Sequence, residues 1–460
     1  MEKIDRKDLT QGTPWKRILA FSFPLLLGNL AQQLYNTVDS IVVGKYVGDN
    51  ALAAVGASGP LLNFLIIFFV GISTGINIMV SQYFGGKKKE DLEKSIGTAI
   101  ILTALSSAFL MILAPLVIPP FLKLINTPAE ILDWAQSYLS ILMYGVAGLA
   151  YFNILSGILR GLGDSLSSLY YLLTSTIINI VLDLLFVIKF DMGVSGVALA
   201  TIIAQGVSAL LAFIKLMSFK DIFDLNKSSF KLYGHYVYQM LKLGLPSGAT
   251  QGIFSLAMLL VQSLSNKFGP NFIAANLMVM RVDGLAMLPN FSFGFAMTTF
   301  TGQNIGAGKI DRVIRGTKEG TILALISSIS LTAIILLFGH QLMMLFTQTS
   351  ELADYALRLM YIIAPGYIFF SITQSLGGVM RGAGDTITPM WISISITLGV
   401  RVPLAYGLSY LTRGPGYPVG RPESIFVSLL VTWILGALLT LFFYRKGNWK
   451  NKVLYEGSPS

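Results

Sequence analysis

Apolar stretches long enough to cross a bilayer recur from Ile18 to Tyr444, and no other feature of this chain constrains its fold as tightly. One membrane crossing takes about 20 apolar residues, so 460 residues of this kind hold many spans and no sizeable soluble domain. The charge content agrees: 12% of the residues are charged and 54% hydrophobic, where a soluble domain carries about 25% charged residues. The expected fold class is an all-α polytopic membrane protein. Two histidines and no cysteine exclude zinc sites of the Cys/His kind, thiol catalysis and disulfides.

Glycine, proline and charge divide the chain into twelve spans, near 15–44, 51–83, 95–120, 130–158, 166–190, 194–218, 236–266, 271–304, 313–340, 350–379, 387–411 and 422–444. All exceed the minimum length, which implies tilt or projection beyond the hydrocarbon. Pro24, Pro60, Pro246, Pro289, Pro365 and Pro403 fall inside spans and predict bends. Acidic Glu2, Asp5 and Asp8 ahead of a long apolar segment are unlike a cleavable signal peptide. An even number of spans puts both termini on one side. The loops and tails of that side carry 23 Lys and Arg: groups before Ile18 and around 87–94, 215–231, 309–318 and 445–452, with Arg160 and Arg381; the opposite loops carry 6. The positive-inside rule therefore predicts cytoplasmic termini in a multi-pass plasma (inner) membrane protein. The net charge of +10 is topology rather than a nucleic-acid surface.

The sequence also repeats. ILRGLGDS at 158–165 returns as VMRGAGDT at 379–386, an offset of 221. The same offset carries Glu130, Asp133 and Ala135 onto Glu351, Asp354 and Ala356, and Gln82 and Gly85 onto Gln303 and Gly306. Pro24 meets Pro246 one residue out of step. Two halves of six spans follow: an amino-terminal lobe at 1–218 and a carboxy-terminal lobe at 236–445, with a charged connector at 219–235 and a cytoplasmic tail at 446–460. Six is even, so both halves enter from the same side. They are parallel repeats about a pseudo-two-fold axis normal to the membrane, an arrangement found in transporters.

Val38-Asp39-Ser40-Ile41-Val42-Val43-Gly44 followed by Ala51-Leu52-Ala53-Ala54-Val55-Gly56 resembles the first-span signature of the MATE (multidrug and toxic compound extrusion) transporters. Asn179-Ile180-Val181-Leu182-Asp183 with GVSGVALAT at 193–201 is similar to that family's fifth and sixth spans. The paired Arg-Gly-x-Gly-Asp loops fit as well. The resemblance covers nearly the whole chain. It implies two six-helix lobes forming a V, and export of organic cations or other amphipathic drugs against inward H⁺ or Na⁺. It also implies a monomer in the lipid bilayer, with small drug-like partners and no cofactor.

Ionisable residues inside spans cost on the order of 3 kcal/mol each and are functional candidates by default. Asp39 lies nine residues before Gly48, Asp183 eight before Asp191, Thr201 eight after Gly193 and Tyr138 eight after Glu130. At 1.5 Å per residue, each sits roughly 12–14 Å below the outer end of its span. Asn179 precedes Asp183 by four residues and shares its helix face. Five polar groups thus fall in one layer. The matching positions, by resemblance, form the cation network of the proton-coupled archaeal and DinF-like branches. Adjacent carboxylates titrate as a pair. Asp39, Asn179, Asp183 and Thr201 are also oxygen donors suited to Na⁺. The same residues can instead be structural partners of backbone or helix ends.

The second half departs from this pattern. The offset places Leu359, Val400, Leu404 and Pro422 opposite Tyr138, Asn179, Asp183 and Thr201, and Leu260 or Val261 opposite Asp39. None can titrate. The sodium-coupled NorM-like branch carries a glutamate in span seven where this chain has Phe254, so a NorM-type site is not expected and the chain is closer to the DinF-like branch. Arg281 and Asp283 in span eight and Arg401 in span eleven remain. Residues two apart on a helix do not face each other, so Arg281 and Asp283 have different partners, and an Asp283–Arg401 ion pair is one of them. Pro24, Gln33, Asn153, Arg281 and Asp283 are the candidates for substrate contact or gating; for the last two a structural ion pair is the other reading. Met and Phe are plentiful, as packing or as the adaptable walls of a drug site. The Arg-Gly-x-Gly-Asp loops are too short for a phosphate loop and lack its Lys-Ser/Thr, so they are tight turns. No nucleophile–base pair or nucleotide motif marks an enzyme. A multidrug antiporter is the leading expectation, and a lipid or polysaccharide-precursor flippase of the same superfamily the alternative.

Overall fold

The computed structural model describes residues 8–226, 229–452 and 454. Glu2 and Asp5 near the start, Lys227 in the connector and the tail beyond 454 lie outside the described residues. Helix dominates: α1 Pro14–Val42, α2 Asp49–Gly85, α3 Lys89–Leu124, α4 Ala129–Tyr144, α5 Val146–Gly161, α6 Ser165–Leu184, α7 Gly193–Met217, α8 Gly234–Ser265, α9 Pro270–Gly306, α10 Ile310–Met344, α11 Ser350–Ile363, α12 Gly366–Gly382, α13 Ile387–Ile396, α14 Val402–Leu411 and α15 Glu423–Lys446. Among the described residues ten helical segments are individually long and apolar enough to cross a membrane, and two bent pairs, α4–α5 and α11–α12, raise the number to twelve.

The bends do not all follow the prolines. Pro24, Pro60, Pro246 and Pro289 run inside unbroken α1, α2, α8 and α9. Pro365 marks the 45° bend of α11–α12, as expected, but the 49° bend of α4–α5 falls at Gly145, which no proline marks. A Cβ at Gly145 would collide with Ile202, so close packing against α7 selects glycine there. Pro403 opens α14 just after a π-helical turn, Thr397–Arg401, where its missing N–H leaves no helical bond unmade. Two more π-turns, Val43–Val47 and Leu185–Lys189, continue α1 and α6.

The two Arg-Gly-x-Gly-Asp loops are matched turns. Asp164 N donates to the Leu159 carbonyl (2.8 Å) and Asp385 N to the Met380 carbonyl (2.9 Å). Gly163 and Gly384 take φ of 85° and 99°, the left-handed conformation that ends a helix this way. Each aspartate then caps the next helix: Asp164 accepts from Ser167 N (3.0 Å) and Asp385 from Thr388 N (3.2 Å).

The chain packs as two compact units. One holds Phe23–Gly248. The other holds Leu9–Ser22 together with the described residues from Ala249 onward. Each unit therefore borrows the opening turns of a helix from the other half of the sequence, and the change of unit falls within two residues of Pro24 in α1 and of Pro246 in α8. In the second unit the borrowed segment is held by polar contacts: Leu9 N donates to Gln303 Oε1 (2.9 Å), and Arg312 donates to the carbonyls of Leu9 (3.0 Å), Gln11 (2.8 Å) and Gly12 (2.6 Å). In the first unit the borrowed start of α8 lies against α2 through glycines. A Cβ at Gly71 would sit 2.7 Å from Gly248 Cα, and one at Gly75 2.6 Å from the Met240 carbonyl. Gly71 and Gly75, like Gly244 and Gly248, are four apart, the small-residue spacing that lets helix backbones touch.

Candidate functional site

The first unit gathers the polar layer. Asp183 is fully buried on α6, and Asp39 lies on α1 with Oδ1 shielded from solvent. Their side chains are within hydrogen-bonding reach of each other. Tyr138 on α4 is buried among Val42, Val43, Ala51, Val187, Val194 and Val197, where the π-turns ending α1 and α6 meet α2 and α7. It stands close enough to both carboxyl groups to interact electrostatically. π-Turns recur at functional sites because the extra residue re-aims side chains. Here they begin four residues after Asp39 and two after Asp183.

Tyr35 joins the cluster and was not among the sequence candidates. Its hydroxyl donates to Thr201 Oγ1 (3.3 Å), and Asp39, Tyr138 and Asp183 surround it. The signal in the sequence was its spacing, four residues before Asp39 on the same helix face. Asn179 is buried on the face of α6 that carries Asp183, but neither Nδ2 nor Oδ1 has a hydrogen-bond partner, and both Asp183 oxygens lack a donor. Asn179 and Asp183 are therefore not joined into a hydrogen-bonded network. The layer exists, yet it contains more acceptors than donors. Among the described residues no group of three or more His, Cys, Asp or Glu could hold a metal ion. Two carboxyl groups, an amide oxygen and a hydroxyl are what a small cation would meet.

The other candidates are dispersed. Pro24 is buried in α1, and Gln33 is exposed on it. Asn153 on α5 donates to the Leu149 carbonyl (2.9 Å), while its own carbonyl accepts from Ser73 Oγ (2.6 Å). In the second unit Arg281 is exposed on α9 and Asp283 faces inward, in keeping with different partners. Asp283 accepts from the Tyr367 hydroxyl (2.8 Å). Arg401 is near enough to act on it electrostatically, but no direct ion pair forms and Arg401 Nε is buried without a partner. The Asp283–Arg401 ion pair is corrected to a tyrosine–aspartate bond, in which the Tyr367 hydroxyl takes the place beside the carboxylate.

Ten to twelve bilayer-length helical segments among the described residues, with a polar layer inside one bundle, define a multi-pass membrane protein. The chain belongs to the MatE family of membrane transporters, whose sequence profile matches it twice, over residues 24–185 and 246–407. The second match lies inside the second half and follows the first by 222 residues, within one residue of the repeat offset. The chain is 31% identical over 447 residues to the probable multidrug resistance protein YoeA of Bacillus subtilis (strain 168), covering 95% of each chain. It is 24% identical over 445 residues to the probable multidrug resistance protein NorM of Thermotoga maritima, covering 95% of this chain and 94% of that one. Among solved structures, the outward-facing conformation of a multidrug resistance MATE family transporter of the MOP superfamily superimposes with a TM-score of 0.89 at 23% identity, over 97% of this chain and 98% of the other.

Proposed function

We propose that the chain is a secondary active multidrug efflux antiporter, exporting organic cations or amphipathic drugs in exchange for inward protons. The names of its relatives support the drug class. What supports the coupling is that buried Asp183 and Asp39, its Oδ1 shielded from solvent, lie close enough to act on one another. Two carboxyl groups hydrogen-bond to each other only when one holds a proton, since ionised carboxylates are acceptors alone. Taking up or releasing that proton changes the charge the first unit offers to a cationic substrate. A ligand shifts a conformational equilibrium only through its differential affinity for the two states, so proton and drug compete through this charge. Tyr35, Tyr138 and Thr201 orient the pair. Pro24, in the same helix as Asp39, lets that helix flex.

Residues 1–218 and 236–445 act as the two lobes of alternating access, joined by 219–235 and followed by the tail at 446–460. Both termini are cytoplasmic in the plasma membrane on the charge count of 23 against 6. The working form is a monomer without a cofactor. Phe254 at the NorM glutamate position favours the proton-coupled DinF-like branch. The unpartnered Asn179 Oδ1 favours one alternative, in which Na⁺ takes the proton's place among Asp39, Asn179, Asp183 and Thr201. The guanidinium groups of Arg381 and Arg401 inside the second unit favour the other, a flippase for anionic lipid precursors.

Proteoliposomes containing a fluorescent organic cation, challenged separately with pH and sodium gradients, separate these readings. Export driven by pH and abolished in the Asp39→Asn, Asp183→Asn double variant is expected, with the variant still monodisperse in detergent. Full pH-driven export by the double variant would refute the coupling site. Export driven by sodium alone would reassign the coupling ion.

A further inference from the structure

The second unit encloses a cavity of about 50 Å³. Its walls include Arg381, Gln374, Ser393, Phe370 and Trp433, all within that unit. Phe370 and Trp433 pack at 5.6 Å between ring centroids and make one side aromatic. Ser393 Oγ is buried without a hydrogen-bond partner. Among the described residues no hydrogen bond or ion pair reaches the Arg381 guanidinium either.

The repeat shows what is missing. In the first unit Arg160, the counterpart of Arg381, donates to Ser73 Oγ (3.0 Å), and Ser73 in turn donates to the Asn153 carbonyl (2.6 Å). The offset that aligns Arg160 with Arg381 aligns Asn153 with Gln374 and Ser73 with Gly294. A Cβ at Gly294 would lie 3.5 Å from Arg381 Nη2. The second unit has the guanidinium without the partner hydroxyl. Space for a few waters is what such a cavity affords, given the roughly 10–15 Å³ that one water requires.

We propose that this cavity is a binding site for a small organic carboxylate, with Arg381 as its ion-pair partner. A planar guanidinium offers two parallel N–H groups at the spacing of carboxylate oxygens, and the aromatic wall accepts the apolar remainder. Ser393 Oγ and Gln374 supply further donors beside the anion. The site stands apart from Asp39 and Asp183, so its failure would leave the coupling reading untouched.

The test uses the full-length protein in phosphatidylcholine nanodiscs, with trifluoroacetate followed by ¹⁹F NMR line broadening and trifluoroacetamide as the uncharged isostere. Broadening of the acid but not the amide is expected, reversed by propionate. Arg381→Gln and Gly294→Ser should each weaken binding at least tenfold. The second variant keeps the arginine and restores the hydroxyl found in the first unit, so it separates loss of the site from loss of the fold. Equal broadening of acid and amide, or undiminished binding by both variants, would overturn the proposal. So would displacement by chloride as readily as by propionate, which would mark an inorganic anion site. Loss of the signal only in phosphatidylglycerol nanodiscs would assign the guanidinium to a lipid phosphate and overturn it as well.

Discussion

Asn179 is an uncomfortable side chain of the first unit. It is fully buried, and neither end of its amide is hydrogen-bonded. An unpartnered buried amide costs about 1–3 kcal/mol. Asn179→Leu keeps the branched heavy-atom skeleton and removes that cost. Its expected outcome is a melting temperature in detergent equal to or higher than that of the parent, together with loss of gradient-driven export. A variant that is both less stable and fully active would assign Asn179 to the fold alone. At this scale the sequence was legible where charge met hydrocarbon: Asp39 and Asp183 stood out because carboxylates are rare in apolar spans. Tyr35 did not. With 19 tyrosines in the chain, the type alone singles out none of them, and only the spacing to Asp39 distinguished this one. The Asp283–Tyr367 bond was hidden for the same reason, since a guanidinium draws attention before a phenol does.

At the scale of elements, the span limits read from hydropathy fall within a few residues of the observed helices, because a bilayer imposes one length on all of them. The interruptions were less legible. Proline is a visible cause of bending, yet the α4–α5 bend comes from tertiary packing, with Gly145 pressed against Ile202 on α7. The π-turns left no sequence mark that hydropathy detects. The crossing of α2 and α8 is also tertiary, and it makes a graded prediction. Gly75→Ala would place a methyl 2.6 Å from the Met240 carbonyl and 2.7 Å from Gly244 N, so backbone must move. Overpacking of this kind costs about 1–3 kcal/mol. Gly248→Ala meets its nearest atoms at 3.3 and 3.4 Å, and the gain in helix propensity offsets part of the strain. Thermal unfolding in detergent should show Gly75→Ala clearly destabilised and Gly248→Ala near the parent. The reverse order would mean that the two helices do not cross at these glycines.

For the whole molecule, the repeat at 221 residues predicted two halves of six spans, and the family profile matches each half in turn. What the repeat could not reveal is that neither half is complete in itself. Leu9–Ser22 belongs with the residues after Ala249, and the first turns of α8 belong with those before it. Expressed as two polypeptides cut in the connector, the halves should accumulate and co-purify only when made together, and each alone should be degraded. Either half accumulating alone as a protease-resistant species would contradict this packing. The exchange also sets a timetable for biosynthesis. The carbonyl of Leu9 leaves the ribosome long before Arg312, which grips it and is made 303 residues later. At about 5–20 residues per second, the opening segment waits on the order of tens of seconds for its partner. During that interval its carbonyls remain open to water, to lipid headgroups or to the insertion machinery.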